Sequence, residues 1–210
     1  MDSFASRTVI VTGALGGIGL EVTSLLSTLG AQVIALDNKE RSEAEQVLKK
    51  IPGKQPRYFQ VELTDSQAVT SFINSISAEK PDSLVALAGV VVSGELVDQS
   101  EESIRRVIDV NLVSQIELSK HLIKHWLNEK SPGNIVFVSS WVDHVPWPGI
   151  TPYAASKAGL VGVCRGIARE YARQGIRANL IAPGIVDVGM AAKQWREEPD
   201  YRARSEEHTS

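Results

Sequence analysis

The chain has 210 residues, of which 43% are hydrophobic and 22% are charged, and its net charge is −3. This composition excludes a largely disordered chain, and the slight negative charge provides no basic patch for nucleic acid. Residues 1–7 lack the regions of a signal peptide, and no segment approaches the ~18 apolar residues of a membrane span, so we expect a cytoplasmic protein without a membrane partner.

The first predicted strand, Thr8–Val11, leads into a glycine-rich turn and then into a helix. Gly13 permits a tight turn, while Gly17 and Gly19 allow the backbone to approach a pyrophosphate and allow the helix to pack on the strand. The helix N-terminus adds free N–H groups and the positive end of a dipole. The run Thr12–Gly19 (TGALGGIG) therefore predicts a dinucleotide site, with an ordinary strand-turn-helix connection as the alternative.

A carboxylate follows the second predicted strand, Gln32–Leu36. Asp37 comes eighteen residues after Gly19, about where an acidic side chain can accept hydrogen bonds from the adenosine ribose. Such a bond contributes ~1.5–3 kcal/mol, whereas a ribose phosphate would be repelled. Asp37 therefore predicts NAD rather than NADP, although Lys39 and Arg41 argue weakly for a phosphate and Asp37 could instead cap the next helix.

Apolar strand-like runs continue to alternate with helical periodicity along the chain. Because every connection is long enough for a parallel crossover, we predict an α/β fold with a doubly wound, Rossmann-like parallel sheet of six strands. The predicted strands are Thr8–Val11, Gln32–Leu36, Arg57–Gln60, Leu84–Leu87, Ile135–Val138 and Arg177–Ile181. The predicted helices are Ile18–Leu29, Glu40–Lys50, Ser66–Ala78, Glu101–Asn128 and Tyr153–Arg173.

Tyr153 and Lys157 stand four residues apart on the last predicted helix, and Tyr153 follows Ser140 by thirteen residues. Side chains at i and i+4 share one helix face, so the phenol and the ammonium lie side by side. The pKa of an ordinary tyrosine, ~10, must fall by about three units before the phenol can act as a proton shuttle near neutral pH, and that shift corresponds to roughly 4 kcal/mol. One unit charge at ~4 Å supplies about that much. The pair predicts an acid-base group, with an ordinary exposed pair as the alternative.

The glycine run, the carboxylate and the tyrosine–lysine pair together resemble the short-chain dehydrogenase/reductase family in its single-domain form, over about Arg7–Met190. The resemblance implies hydride transfer between NAD(H) and a secondary alcohol or ketone, a small-molecule substrate, with Tyr153 as proton shuttle. Ser139 is an alternative to Ser140, but the family's thirteen-residue separation selects Ser140. The implied active-site tetrad is Asn111, Ser140, Tyr153 and Lys157.

The resemblance also implies a role for each of these groups. Lys157 would lower the tyrosine pKa and hold the nicotinamide ribose, Ser140 would bind the substrate oxygen, and Asn111 would order a water. Pro183 and Gly184 match the segment that lies against the nicotinamide. The implied cofactor-binding residues are Thr12, Gly13, Gly17, Ile18, Gly19, Asp37, Glu62, Leu63, Ala88, Gly89, Tyr153, Lys157, Pro183, Gly184 and Val186.

Two departures from the family pattern leave other functions open. Ala86–Gly89 replaces the usual Asn-Asn-Ala-Gly, and Val188 replaces a threonine that would meet the nicotinamide carboxamide. These changes keep a non-catalytic dinucleotide-binding scaffold as one alternative. The nearer alternative is a reductase of 3-oxoacyl thioesters, which uses the same tetrad but commonly prefers NADPH, so Asp37 argues against it.

Several histidines allow more than one interpretation. His144 lies with Trp141 and Trp147 in a loop that borders the substrate in relatives, although ordinary packing explains aromatic loop residues equally well. His121 and His125 share a helix face, but no third ligand is apparent in the sequence, so we expect no metal site.

The resemblance also predicts how the chain is organised and assembled. Residues 1–203 are expected to form one catalytic domain that lacks the family's seventh strand. Residues 204–210 (RSEEHTS) resemble the translation of a sequencing adapter and are expected to be a non-native tail, with a natural charged tail as the alternative. The helices around His121 and Cys164 resemble those that pair subunits in the family, so we expect a homodimer or homotetramer.

Overall fold

The computed structural model describes residues 3–186 and residue 196. The strands are β1 (Thr8–Thr12), β2 (Gln32–Asp37), β3 (Arg57–Gln60), β4 (Ser83–Ala86), β5 (Gly133–Val138) and β6 (Ile176–Ile181). The α-helices are α1 (Gly17–Thr28), α2 (Arg41–Leu48), α3 (Ser66–Ile76), α4 (Glu101–Ile108), α5 (Ser114–Glu129) and α6 (Thr151–Tyr171). Each helix of the described residues is too short or too polar to cross a lipid bilayer.

The six strands form one sheet in the order β3-β2-β1-β4-β5-β6, and every neighbouring pair is parallel. The chain runs outward from β1 to β3 and then returns to place β4 on the other side of β1. In open α/β sheets, this reversal leaves a crevice beyond the carboxyl ends of the strands where ligands bind. The prediction of a doubly wound α/β fold with six strands is confirmed; the expected seventh strand and the tail over residues 204–210 lie outside the described residues.

Alternation along β1 directs its side chains into two separate cores. Val9 and Val11 pack with α1 and α2 on one face of the sheet, while Ile10 packs on the other face with α3, α5 and α6. All three side chains are almost fully buried. The period of two in a β-strand explains why both faces of the central strand are apolar.

The predicted helix over Glu101–Asn128 is interrupted in the structure. A π-helical turn, Asp109–Val113, separates α4 from α5. Apolar periodicity does not predict such a turn. The wider turn holds one extra residue, and the residues before and after it keep the spacing of an α-helix. The wider turn contains Asn111, whose side chain is fully buried.

Gly133, at the start of β5, packs directly against the Trp126 ring of α5. A Cβ atom at Gly133 would lie 2.1 Å from that ring. The ring is 1% exposed, and its indole N–H donates a hydrogen bond of 2.6 Å to the carbonyl of Pro81. The ring therefore has little freedom to move away.

Gly133→Ala should lower the free energy of unfolding by about 1–3 kcal/mol, because the added methyl group overpacks the core. Urea denaturation provides the measurement. Gly162→Ala on α6 is the matched control: its Cβ would meet no atom within 4 Å, so the change should stabilise the helix by ~0.5–1 kcal/mol. Equal stability of the two variants would contradict the packing argument.

Candidate active site

A cleft of about 1120 Å³ opens at the carboxyl end of the sheet. Its wall includes residues that follow each of the six strands, from the glycine loop after β1 to the segment after β6. The predicted residues that line it are Gly13, Gly17, Ile18, Gly19, Asp37, Glu62, Leu63, Ala88, Gly89, Ser140, Tyr153, Lys157, Pro183, Gly184 and Val186.

The glycine loop is held so tightly that side chains would not fit in two places. Gly13 has a positive φ of 62°, and an added Cβ would lie 3.0 Å from the Ala88 backbone. A Cβ at Gly19 would lie only 2.0 Å from the carbonyl oxygen of Gly13. At the N-terminus of α1, Gly16 provides no side-chain cap and the first turn has no acidic residue. The exposed N–H groups suit an anion.

Two carboxylates mark the end of the cleft near β2 and β3. Asp37 accepts hydrogen bonds of 3.0 Å from the backbone N–H groups of Leu15 and Asn38, so it fixes the glycine loop. Burial of Glu62 opposes its ionisation, but hydrogen bonds from Thr64 and Asn38 outweigh that effect and lower the pKa of the carboxyl group. Both groups therefore present negative charge at this end of the cleft.

Thr12 and Asn111 lie behind the wall of the cleft, and both are fully buried. The Thr12 hydroxyl accepts hydrogen bonds of 3.0 Å from the backbone N–H groups of Leu87 and Ala88. The Thr12 side chain therefore joins the glycine loop to the loop after β4, and a contact between Thr12 and the cofactor stays a prediction.

The Asn111 side chain also binds protein groups rather than facing the cleft. Its Oδ1 accepts a bond of 2.7 Å from the Val90 N–H, while its Nδ2 donates to the Val90 carbonyl at 2.9 Å and to Ser156 Oγ at 3.0 Å. Both amide hydrogens are therefore used. The side chain of Asn111 therefore fixes the loop that follows Gly89, and a role for Asn111 in ordering a water stays a prediction.

Lys157 also lines the cleft. Its side chain is buried, and Nζ donates a hydrogen bond of 2.8 Å to the Val138 carbonyl at the end of β5. Nζ is 5.6 Å from the centroid of the Tyr153 ring, so the helix brings the predicted pair together. Burial lowers the pKa of the ammonium to about 8, which leaves it protonated at neutral pH.

The two adjacent serines have different surroundings. Ser139 is buried, and its Oγ lies 2.7 Å from Asp143 Oδ2 and 3.0 Å from the Lys157 carbonyl. Ser140 is half-buried and lines the cleft, and within the described residues no protein group bonds its hydroxyl. Ser140 is therefore the serine whose hydroxyl is available to a ligand, in agreement with its selection over Ser139.

Backbone hydrogen bonds bring the segment after β6 alongside Ser140. The Ser139 N–H donates to the Ile181 carbonyl at 2.8 Å, and the Trp141 N–H donates to the Pro183 carbonyl at 3.0 Å. The pairing of β5 with β6 thus continues past both strands. Pro183 and Gly184 are held at the cleft in this way.

Sequence reasoning missed Asp143 and Ser156. The Asp143 side chain has no exposed area and binds Ser139 and His144, although a loop aspartate followed by a histidine gives no sign of burial. Ser156 was within reach of prediction, because it follows Tyr153 by one helical turn.

His144 is not part of the cleft wall, and its side chain is 76% exposed. Val188 lies outside the described residues.

Comparisons with known proteins agree with this geometry. Residues 7–199 match the family model for short chain dehydrogenases. The chain is 32% identical over 209 residues to 3beta-hydroxysteroid dehydrogenase 1 of Eggerthella lenta, covering 98% of this chain and 80% of that protein. It is also 32% identical to a 3-oxoacyl-[acyl-carrier-protein] reductase of Escherichia coli, covering 90% and 77%.

A solved structure from Beutenbergia cavernae superposes with a TM-score of 0.88 at 28% identity, covering 97% of this chain and 82% of that one. It is named as an NAD(P)-dependent gluconate 5-dehydrogenase and contains bound NADP at low occupancy. The sheet and the cleft therefore belong to a fold whose relatives bind a dinucleotide.

The buried lysine gives a prediction about stability and pH. The pKa of Lys157 is about 8 in the folded protein, against an ordinary 10.5, so between these values the unfolded chain binds more protons. Its burial therefore destabilises the fold at low pH, and that destabilisation fades as the pH rises. Relative to Lys157→Met, the unaltered protein should gain about 2 kcal/mol of unfolding free energy between pH 7.5 and pH 10.

Urea denaturation across that pH range measures the difference. Lys124→Met, at an exposed lysine of α5, is the control and should show a difference that stays constant with pH. A flat Lys157→Met difference would mean that the ammonium is not destabilised by its surroundings.

Proposed function

We propose that this chain, which belongs to the short-chain dehydrogenase family, transfers a hydride between NAD(H) and a secondary alcohol or its ketone. Proteins of this family are oxidoreductases that use a nicotinamide dinucleotide, and this chain is an oxidoreductase of that kind. The observation that carries the proposal is the meeting of Ser140, Tyr153 and Lys157 in one cleft that the glycine loop also lines.

The residues of the cleft fit a dinucleotide. Gly13, Gly16, Gly17 and Gly19 line the cleft without side chains, so a pyrophosphate could approach the backbone of the loop closely. The uncapped N-terminus of α1 offers N–H donors to it. Asp37 and Glu62 would face the adenosine end, while Lys157 and the segment at Pro183 would hold the nicotinamide end.

A bound nicotinamide would supply the hydride chemistry, as acceptor from the carbinol carbon or as donor to the ketone carbon. Tyr153 takes the hydroxyl proton as the alcohol becomes a ketone, and it returns that proton in the reverse direction. The Lys157 ammonium favours the phenolate form: at the 5.6 Å separation of Nζ from the ring centroid, an effective dielectric of ~20 gives an attraction of about 3 kcal/mol.

Ser140 stabilises the substrate oxygen while charge develops on it. Ser140 directly follows the buried Ser139 and lines the cleft. A preorganised donor in a site that excludes water acts most strongly on the transition state. Asn111 would order a water for proton relay, while its side-chain amide fixes the backbone of Val90 and, through Ser156, the first turns of α6.

The charges near β2 favour NAD over NADP. The carboxylate of Asp37 stands where a ribose phosphate would add negative charge. The two nearby cations are already paired: Lys39 lies 2.6 Å from Glu43, and Arg41 lies 3.8 Å from Glu45. A relative's structure does contain NADP, so the preference follows from the residues of this chain rather than from the likeness.

A reductase of 3-oxoacyl thioesters is the second candidate, favoured by identity to reductases of that class. It would use the same Ser140, Tyr153 and Lys157. The acidic adenosine end argues against it if such a reductase requires NADPH. Reduction of a 3-oxoacyl thioester with NADPH, at a rate above that of simple ketones with NADH, would favour this candidate.

Self-association is proposed as well. Apolar side chains stay exposed along one long helix and the turn before it: Val113 is 44% exposed, and Ile116 and Leu127 are each 38% exposed. Covering them would suit a homodimer or homotetramer. A cytoplasmic location remains a prediction.

Tyr153→Phe tests the reaction. The change removes only the hydroxyl, so turnover of every accepted alcohol should fall by about 10²–10⁴-fold while the dissociation constant of NADH changes little. Steady-state kinetics and NADH fluorescence titration measure the two quantities. Tyr171→Phe, on the same helix but away from the cleft, should leave both unchanged.

Unimpaired turnover by Tyr153→Phe would contradict the assigned proton shuttle. Binding of NADH by the unaltered chain with no turnover across a broad ketone panel would favour the non-catalytic scaffold instead.

Asp37→Asn tests the cofactor preference. The amide oxygen can still accept the Leu15 N–H, but the charge is gone, so the ratio of NAD to NADP affinity should fall by about 10-fold, the equivalent of ~1.4 kcal/mol. Calorimetric titration with each cofactor gives the ratio. Asp65→Asn is the matched control, since Asp65 likewise accepts backbone N–H groups, at the start of α3. An unchanged ratio in Asp37→Asn would contradict the assignment.

A further inference from the structure

The wall of the cleft beside Tyr153 is apolar. Five residues form what we call the tryptophan wall: Trp141, Val142, Trp147, Ile150 and Ile185. They belong to one hydrophobic cluster, and the Tyr153 side chain packs against it. A substrate whose hydroxyl reaches Tyr153 therefore has its carbon body beside these side chains.

The tryptophan wall is built rigidly. The rings of Trp141 and Trp147 meet edge to face, with centroids 5.5 Å apart and planes at 86°. The backbone of Trp141 is bonded to Pro183, and Trp147 is 8% exposed. This geometry is a favoured one for aromatic pairs, so the wall exists before any substrate arrives.

Apart from Lys157 beside Tyr153, the charged side chains that line the cleft belong to other segments of the chain. Among the described wall residues from 138–150 and 183–186, none is charged, and apart from the indole N–H groups of Trp141 and Trp147 the only polar side chains are those of Ser139 and Ser140. The charged wall residues are Asp37, Lys39, Glu62, Glu101, Glu102, Arg105, Arg106, Asp109 and Lys157. On α4, Arg105 pairs with Glu101 at 2.6 Å.

We propose that the tryptophan wall selects uncharged substrates in which the secondary alcohol is carried by an apolar ring, alicyclic or aromatic. The inference rests on the proposed function and specifies its substrate class. A carboxylate placed against this wall would lose water without meeting an opposite charge among the wall residues, and a row of hydroxyl groups would exchange water for mainly apolar contacts. An apolar ring would instead exchange water for contact with two indole rings.

A matched pair of alcohols tests the selection. The probes 4-methylcyclohexanol and 4-hydroxycyclohexanecarboxylate share the ring and the carbinol and differ in a methyl group against a carboxylate. With NAD and the unaltered 210-residue chain, kcat/KM should be at least about 100-fold higher for the methyl compound, since an unpaired buried charge is disfavoured more than a missing methylene. Calorimetric binding of the two corresponding ketones to the NADH complex should show the same order.

Variants then locate the selecting surface. Ile185→Arg places a cation in the wall at a half-buried position and should move the ratio of kcat/KM toward the carboxylate by about 10-fold or more. Trp147→Ala should lower kcat/KM for the methyl compound by about 10-fold or more, mainly through KM. Val145→Ala is the control, because Val145 belongs to the same loop but is exposed and outside the cleft wall.

The outcomes separate this inference from the proposed function. Oxidation of both alcohols with a preference for the carboxylate would overturn the role of the wall and leave hydride transfer intact. An unchanged ratio in a folded Ile185→Arg variant would also overturn it. Failure to oxidise either alcohol, or any other secondary alcohol, would overturn the proposed function and the inference with it.

Discussion

The burial of one ammonium group is the constraint around which the carboxyl end of the sheet is arranged. Lys157 is 4% exposed, and its Nζ donates to the Val138 carbonyl. A buried charge is stable only where neighbouring groups replace the water that it has lost. The backbone must therefore bring an acceptor to this point, and β5 ends so that Val138 provides one. A Cβ at Gly89 would lie 3.5 Å from Nζ, so the loop after β4 also closes directly on the ammonium.

The remaining polar side chains chiefly fix loops, although Asn111 also bonds Ser156 and Ser139 also bonds Asp143. Thr12 holds the loop after β4, Asp37 holds the glycine loop, Asn111 holds the backbone of Val90, and Ser139 reaches the carbonyl of Lys157. Each is a buried or half-buried side chain that binds backbone groups far away in sequence. Loops at the end of a parallel sheet have no ladder to pair with. These side chains take the place of the ladder, and the cleft keeps its shape as a result.

The sequence carried enough information to predict the sheet and most of the site. The apolar runs, the glycines and the spacing of Tyr153 from Lys157 each follow local rules of strands, turns and helices, and the predicted family is confirmed by the match over residues 7–199. The π-helical turn at Asn111 and the burial of Asp143 were out of reach, because each depends on groups brought together by the fold. The direction in which Asn111 and Thr12 point was likewise decided by distant backbone partners.

The apolar surroundings of Tyr153 act on the charge of Lys157 in two opposing ways. Excluding water lowers the effective dielectric, which strengthens the attraction between the ammonium and a phenolate. The same exclusion removes hydration from the ammonium and lowers the pKa of Lys157 to about 8. Had burial gone much further, the lysine would be neutral at physiological pH and could no longer stabilise the phenolate. The hydrogen bond to Val138 opposes that loss, so the end of β5 helps to preserve the charge on which the proposed role of Tyr153 depends.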